Sequence, residues 1–307
     1  MVRIMTTHGA PNPDSPPTGS FAARLAASSR LRQSLLCVGL DPLPDRLPVG
    51  VGNGAAGAAA FCTAVVEATL DVAYAFKLNL GFYLAFGRTG IDALARVREA
   101  IPADVPAILD CKVGDIDSTA AAYAAGWFDA FGFDALTVNP YLGEDSLAPF
   151  LSYADRGVFV LCKTSNPGSG DFQDLTVVTQ GGEPATVAET VARRAAEWQE
   201  RYPATVGLVV GATYPAQLAT IRGICPTQPI LLPGVGAQGG DLDAAVRAGI
   251  DRDGGGLLAS ASRSIMFASS GADFAHVARS AAIATRDALN EARAATVATV
   301  APSSEGR

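Results

Sequence analysis

Histidine is nearly missing from this chain of 307 residues: His8 lies in a polar opening segment and His276 in a late helical pattern that suits a surface role. So few imidazoles argue against a histidine-based catalytic triad and against a histidine-rich metal site. The five cysteines (Cys37, Cys62, Cys111, Cys162, Cys225) are odd in number, form no CxxC pair and fall mostly inside apolar runs. They offer neither a disulfide framework nor a zinc site, and they read as small core residues in a reducing compartment. Basic residues are outnumbered, 23 Lys and Arg against 30 Asp and Glu, for a net charge of −7. That argues against non-specific nucleic-acid binding, although a local basic pocket can still grip one phosphate. No apolar run is long enough to span a bilayer, and the opening residues lack the apolar core of a signal peptide. The expectation is a cytoplasmic protein with neither membrane nor nucleic acid as partner.

What is present suits a large buried core: 49% of residues are apolar and 17% charged. The Pro-rich, polar opening predicts a poorly ordered extension over 1–30, followed by one folded domain over 31–292 and a frayed tail over 293–307. Within the domain, short apolar runs predict strands at Leu35–Leu40, Tyr74–Asn79, Ala107–Cys111, Ala135–Val138, Val158–Lys163, Val206–Val210, Ile230–Pro233 and Gly256–Ser260. Ala/Leu/Arg-rich stretches between them predict helices, among them Ala55–Val72, Asp92–Ala100, Val187–Arg201, Pro215–Gly223 and Asp241–Ala248. Eight strands with intervening helices match the α/β class as a (β/α)8 TIM barrel. A doubly wound open sheet is the rival, but no GxGxxG follows the first strand.

Charged or polar residues recur where these strands end: Asp41, Lys77 and Asn79, Asp110 and Lys112, Asn139, Lys163 and Ser165, Gln238, and Arg263. In a barrel all these ends converge on the face where active sites are built. The densest is Asp110-Cys111-Lys112-Val113-Gly114-Asp115-Ile116, after the apolar run Val105–Leu109. Asp110 and Lys112, two apart on an extended strand, point to the same side. Alternating carboxylate and ammonium is costly to desolvate unless the charges satisfy one another. The spacing alone fits both a structural ion pair and a functional site. Further along, Pro233-Gly234-Val235-Gly236-Ala237-Gln238-Gly239-Gly240 ends one strand and opens a helix, and Arg263 ends the next strand, the usual place of a barrel's phosphate site. The polar stretch from Thr164 to about Ala185 predicts a mobile loop in the position of an active-site lid.

These motifs together resemble the orotidine 5′-phosphate decarboxylase family. The resemblance rests on Asp110-x-Lys112-x-x-Asp115-Ile116, Gly39-Leu40-Asp41, Phe76-Lys77, Ser165-Asn166-Pro167-Gly168, Pro233-Gly234-Val235-Gly236-Ala237-Gln238 and Ser262-Arg263-Ser264-Ile265, in family order from Leu35 to Phe267. Thr137-Val138-Asn139-Pro140-Tyr141 and the long fifth loop are similar to its mycobacterial-type branch (type 2), although Val113 stands where that branch often has Arg.

The resemblance implies a carboxy-lyase that converts orotidine monophosphate to UMP and CO2 in de novo pyrimidine biosynthesis, without metal or organic cofactor. It implies that Lys112 stabilises a carbanion at pyrimidine C6 and protonates it, within a catalytic network of Lys77, Asp110, Lys112 and Asp115. Asp41 and Lys77 would hold ribose hydroxyls, Ser165 the pyrimidine edge, and Gln238 and Arg263 the phosphate, with Ile116 and Thr119 completing the substrate contacts. It further implies a homodimer with shared active sites, Asp115 and Thr119 crossing to the neighbouring subunit. Two alternatives stay open. One is a metal-dependent 3-keto-gulonate-6-phosphate decarboxylase or hexulose-phosphate synthase, which would share Asp110-x-Lys112-x-x-Asp115. The other is a non-catalytic phosphate-binding barrel.

Overall fold

A computed structural model describes residues 19–179, 181–235 and 242–300 of the chain. In chain order the elements are α1 (Phe21–Arg32), β1 (Leu36–Gly39), α2 (Gly54–Thr69), β2 (Ala75–Asn79), α3 (Leu80–Leu84), α4 (Arg88–Glu99), β3 (Ala107–Val113), α5 (Asp117–Ala124), β4 (Ala135–Val138) and α6 (Glu144–Leu151). They continue as β5 (Gly157–Lys163), α7 (Gly170–Gln173), β6 (Thr176–Val178), β7 (Pro184–Thr186), α8 (Val187–Arg201), β8 (Thr205–Val210), α9 (Pro215–Ile224), β9 (Ile230–Pro233), α10 (Leu242–Gly249), β10 (Leu257–Ala261), α11 (Arg263–Met266) and α12 (Phe274–Val300). Strands β1, β2, β3, β4, β5, β8, β9 and β10 close into one parallel barrel, the expected (β/α)8 architecture.

Period-two alternation along these strands divides the core in two. Leu36, Val38, Phe76, Leu78, Leu109, Val158 and Val160 belong to the larger cluster, packed with helix residues such as Phe61, Val65 and Trp198. The residues between them, Cys37, Ala75, Ile108, Ala135, Phe159, Val209, Leu231 and Leu258, form a second cluster in the barrel interior. Two residues beyond Ala75 and Ile108, on the same inward face, stand Lys77 and Asp110. The polar residues at the mouth thus sit above a dry interior layer on rigid strands.

The lower end of that layer is closed by α1, which corrects the domain boundary expected at residue 31. Phe21 and Leu25 join the interior cluster, and the Phe21 ring meets Phe159 edge-on at 5.9 Å. Arg24, itself buried, pairs with buried Asp134 at 2.5 Å and donates to the Asp155 carbonyl at 2.8 Å. Gly157 makes room for the plug, since a Cβ there would lie 2.6 Å from the Phe21 ring. Ser20 caps the helix, its hydroxyl accepting from the Ala23 amide. The amphipathic signal of this short helix is weak, so its burial is not apparent without the barrel floor that it covers. The rest of the expected extension, residues 1–18, lies outside the described residues. At the other end α12 runs on through much of the expected tail, to Val300.

The loop after β5, read from the sequence only as a polar loop, has secondary structure of its own. It contains α7 and a small antiparallel hairpin, with Thr176 opposite Thr186 and Val178 opposite Pro184. The hairpin leads directly into α8, whose start is fixed by a capping box between Thr186 and Glu189.

Candidate active site

Asp110 is the hub of the barrel mouth. Its Oδ1 accepts from Lys112 Nζ at 2.6 Å and from the Thr137 hydroxyl at 2.9 Å. Its Oδ2 accepts from Lys77 Nζ at 3.3 Å and from Asn79 Nδ2 at 3.2 Å. Lys77 also faces Asp41 at 3.8 Å, and Asp41 accepts from the Asn79 amide at 3.2 Å. The charges therefore alternate, Asp41–Lys77–Asp110–Lys112, along the ends of β1, β2 and β3. Register builds this row: β1 pairs Gly39 with Lys77, and β2 pairs Asn79 with Asp110.

Burial and charge compete at each member. Burial pushes the Asp110 carboxyl upward, but Lys77 and Lys112, with the Lys112 and Thr137 hydrogen bonds, outweigh it and bring it down to about 2. Burial likewise works against the charged form of Lys77, and the neighbouring Asp41 and Asp110 carboxylates override it, holding the ammonium above the usual lysine range. Each buried charge thus has partners on two sides, which is the condition under which such burial is tolerable.

The two lysines differ in a way their sequence positions did not reveal. The Lys77 side chain is 6% exposed and that of Lys112 is 46% exposed. Lys112 does not sit on regular strand: its φ is +48°, and the β3–β4 register shifts between Leu109 and Val113. It reaches Asp110 from an irregular strand end rather than through simple alternation. Thr137 stabilises this irregular end, since its hydroxyl accepts from the Lys112 amide at 2.9 Å while donating to Asp110. Thr137 was absent from the sequence-based site list. The signal that marks it is its place two residues beyond Ala135 on the inward face.

The network opens into a cavity of about 560 Å³, lined by Asp41, Lys77, Asp110, Lys112, Ser165 and Arg263 among others. Asn79, read from the sequence as a polar strand end, also lines it, as do Thr164, Asn166, Gln173 and Ser260, to which the sequence assigned no site role. The volume falls in the range of small-molecule and cofactor sites. Arg263 opens α11 across the mouth, is exposed and makes no ion pair among the described residues. Gly234 and Val235 line the same side. Gln238 lies outside the described residues.

Asp115, Ile116 and Thr119 are not among the residues that line this cavity. Asp115 turns its carboxylate back onto the Ile116 amide at 2.8 Å, and Ile116 is 51% exposed. Thr119 is exposed on α5. Lys163, counted in the sequence among the charges at the mouth, is also absent from the lining and is buried, 1% exposed.

Comparison with known proteins agrees with this geometry. Residues 34–278 match the pattern of the orotidine 5′-phosphate decarboxylase / HUMPS family. The orotidine 5′-phosphate decarboxylase of Thermomicrobium roseum is 52% identical over 274 residues, covering 89% of this chain and 96% of the relative. That of Roseiflexus castenholzii is 50% identical over 274 residues, covering 89% and 98%. The structure of the Leishmania donovani OMP decarboxylase superposes with a TM-score of 0.77 at 40% identity, covering 90% of this chain and 99% of that one.

Proposed function

The chain belongs to the orotidine 5′-phosphate decarboxylase / HUMPS family, and from that premise we propose how its own residues carry the reaction. The reaction is that of a carboxy-lyase of pyrimidine biosynthesis, in which orotidine monophosphate loses CO2 and gives UMP. Its difficulty is the electron pair left at pyrimidine C6 when the C6–carboxylate bond breaks, which calls for preorganised positive charge and a proton source.

Lys112 supplies both. Its ammonium is held at 2.6 Å by Asp110 yet remains accessible from the cavity, whereas Lys77 is enclosed between Asp41 and Asp110. This difference carries the assignment of the proton donor to Lys112. The C6 carbanion takes a proton from Lys112 Nζ, and the neutral amine is recharged from solvent. Asp110 lies beside the departing carboxylate and fixes the Lys112 side chain. Lys77 fixes Asp110 from below and, with Asp41, faces the ribose hydroxyls. Ser165 meets the pyrimidine edge, and Arg263 grips the phosphate together with Gln238. The phosphate does not react, but its binding energy can be used to order the loops around the base.

Asp115, Ile116 and Thr119 complete the site of a second copy. Supporting this reading, Asp115 and Thr119 leave the cavity of their own chain, and Ile116, Tyr123, Tyr141 and Leu142 are exposed at 51%, 40%, 86% and 47%. The loop bearing Tyr141 runs beside the end of β3, where the Asn139 amide donates to the Val113 carbonyl at 2.9 Å. An apolar face at this rim suits an isologous homodimer in which each chain lends Asp115 to the other. A cytoplasmic setting fits five cysteines without a disulfide and the absence, among the described residues, of a helix able to cross a membrane.

The test is the loss of orotidine monophosphate absorbance with purified protein in excess chelator. Turnover undiminished by chelator is expected. Turnover that disappears with chelator would favour a metal-dependent phospho-sugar chemistry, and UMP binding without turnover would favour a non-catalytic barrel.

A further inference from the structure

Lys163 is a fully buried lysine at the barrel mouth that does not line the cavity. Its Nζ donates to both oxygens of Asp174 at 2.8 Å and to the Ser169 hydroxyl at 3.0 Å, and it lies 4.8 Å from the Tyr214 ring centre. Asp174 is tied to α9 as well, accepting from Gln217 Nε2 at 2.9 Å. One residue inward, Gln173 Oε1 accepts from the Thr164 amide at 2.8 Å and Gln173 Nε2 donates to the Thr164 hydroxyl at 2.9 Å. Two consecutive cross-links, 163 to 174 and 164 to 173, thus close the ends of the segment between them into a lobe with a fixed neck. That lobe brings Ser165 and Asn166 to the cavity wall. Its inner side has no slack, because a Cβ on Gly211 would lie 2.7 Å from Ser165 Cβ and 2.8 Å from its amide nitrogen.

A lysine desolvated this completely, with one acidic partner among the described residues, itself 41% exposed, is a costly way to hold a surface loop. The cost is intelligible if the loop must present one side chain accurately. We infer that Lys163 and Asp174 act as a positioning pair for the decarboxylation, fixing the neck that aims Ser165 at the bound base. The inference rests on the reading above, in which Ser165 meets the pyrimidine edge. Neither Lys163 nor Asp174 touches the substrate; both act through Ser165.

The experiment is a double-mutant cycle on the full-length chain, measuring kcat/KM for orotidine monophosphate in wild type, Asp174→Asn, Ser165→Ala and the double variant. Asp174→Asn should lower kcat/KM on the order of tenfold when Ser165 is present, and less than about twofold when it is absent. A purely structural role would lower the melting temperature without that dependence. Gln217→Ala loosens Asp174 while leaving both charges, so it keeps the cycle interpretable should Asp174→Asn fold poorly; a smaller loss with the same dependence on Ser165 is expected. An active wild type whose Asp174→Asn loss is nil, or equally large without Ser165, would overturn the positioning role alone. A wild type without any turnover would overturn the decarboxylase reading and this role with it.

Discussion

Replacing Asp110 by Asn keeps the shape of the hub and removes its charge, so it isolates the electrostatics of the row. In the wild type the Asp110 carboxyl is held down to about 2 by Lys77 and Lys112 against the effect of its own burial. An unfolded aspartate titrates near 3.9, so the folded state binds this proton less readily than the unfolded one. The sign follows: the stability that Asp110 contributes is complete well above pH 4 and is lost as the pH falls through its folded value. For a difference of this size the whole contribution is about 2–3 kcal/mol, of which roughly half is gone by pH 3. Urea unfolding of wild type and Asp110→Asn at pH 6, 4.5 and 3 should therefore show the wild type more stable at pH 6. The gap should close by about 1 kcal/mol by pH 3. Carboxylates remote from the row titrate alike in both proteins and cancel in the difference. A gap that stays constant from pH 6 to pH 3 would refute the claim that the two lysines hold Asp110 ionised.

Lys112→Ala should lower kcat by at least about 10³-fold, because on the proposed mechanism it deletes the proton donor and the stabilising charge together; its half-exposed side chain makes a large change in melting temperature unexpected, and a folded variant with near wild-type turnover would defeat the assignment. Arg263→Ala should reduce kcat/KM for the nucleotide by about 10–100-fold, the scale of a lost charge-assisted contact, while leaving the nucleoside without phosphate nearly unchanged. Equal losses on both substrates would show that Arg263 is not primarily a phosphate ligand. On the shared-site proposal, Lys112→Ala and Asp115→Ala chains, each nearly inactive, should recover roughly a quarter of wild-type activity when dissociated and reassociated, since about half the dimers would be mixed and each would hold one intact site. No recovery despite subunit exchange confirmed by native mass spectrometry would exclude shared sites.

The barrel was legible because its determinants are local. Each strand is a short apolar run bounded by turns; Ala135–Val138 and Ile230–Pro233 form strands over the residues their sequence predicts. The same local patterns could not reveal α1. Phe21, Arg24 and Leu25 look unremarkable in the sequence, and their burial depends on Phe159, Gly157 and Asp134 more than a hundred residues away. The hairpin in the fifth loop was hidden for a related reason: Thr176–Val178 and Pro184–Thr186 are three residues each, too short for alternation to register.

The site divides along a different line. Asp41, Lys77, Asp110 and Lys112 were legible as charges at strand ends, a placement that parallel topology turns into proximity. Lys163 met the same criterion and belongs elsewhere, because strand-end position does not fix which face a side chain takes. Position 163 follows a register shift in the β5–β8 pairing between Leu161 and Lys163, and beyond such a shift the alternation no longer predicts inward or outward. Lys112 follows a comparable shift in β3, yet there Thr137 binds both its amide and Asp110 and so returns the side chain to the mouth. The two lysines therefore separate by the partner each finds past an irregular strand end, Asp110 within the barrel or Asp174 in the loop after β5. A parity rule that assumes unbroken pleating cannot contain that information.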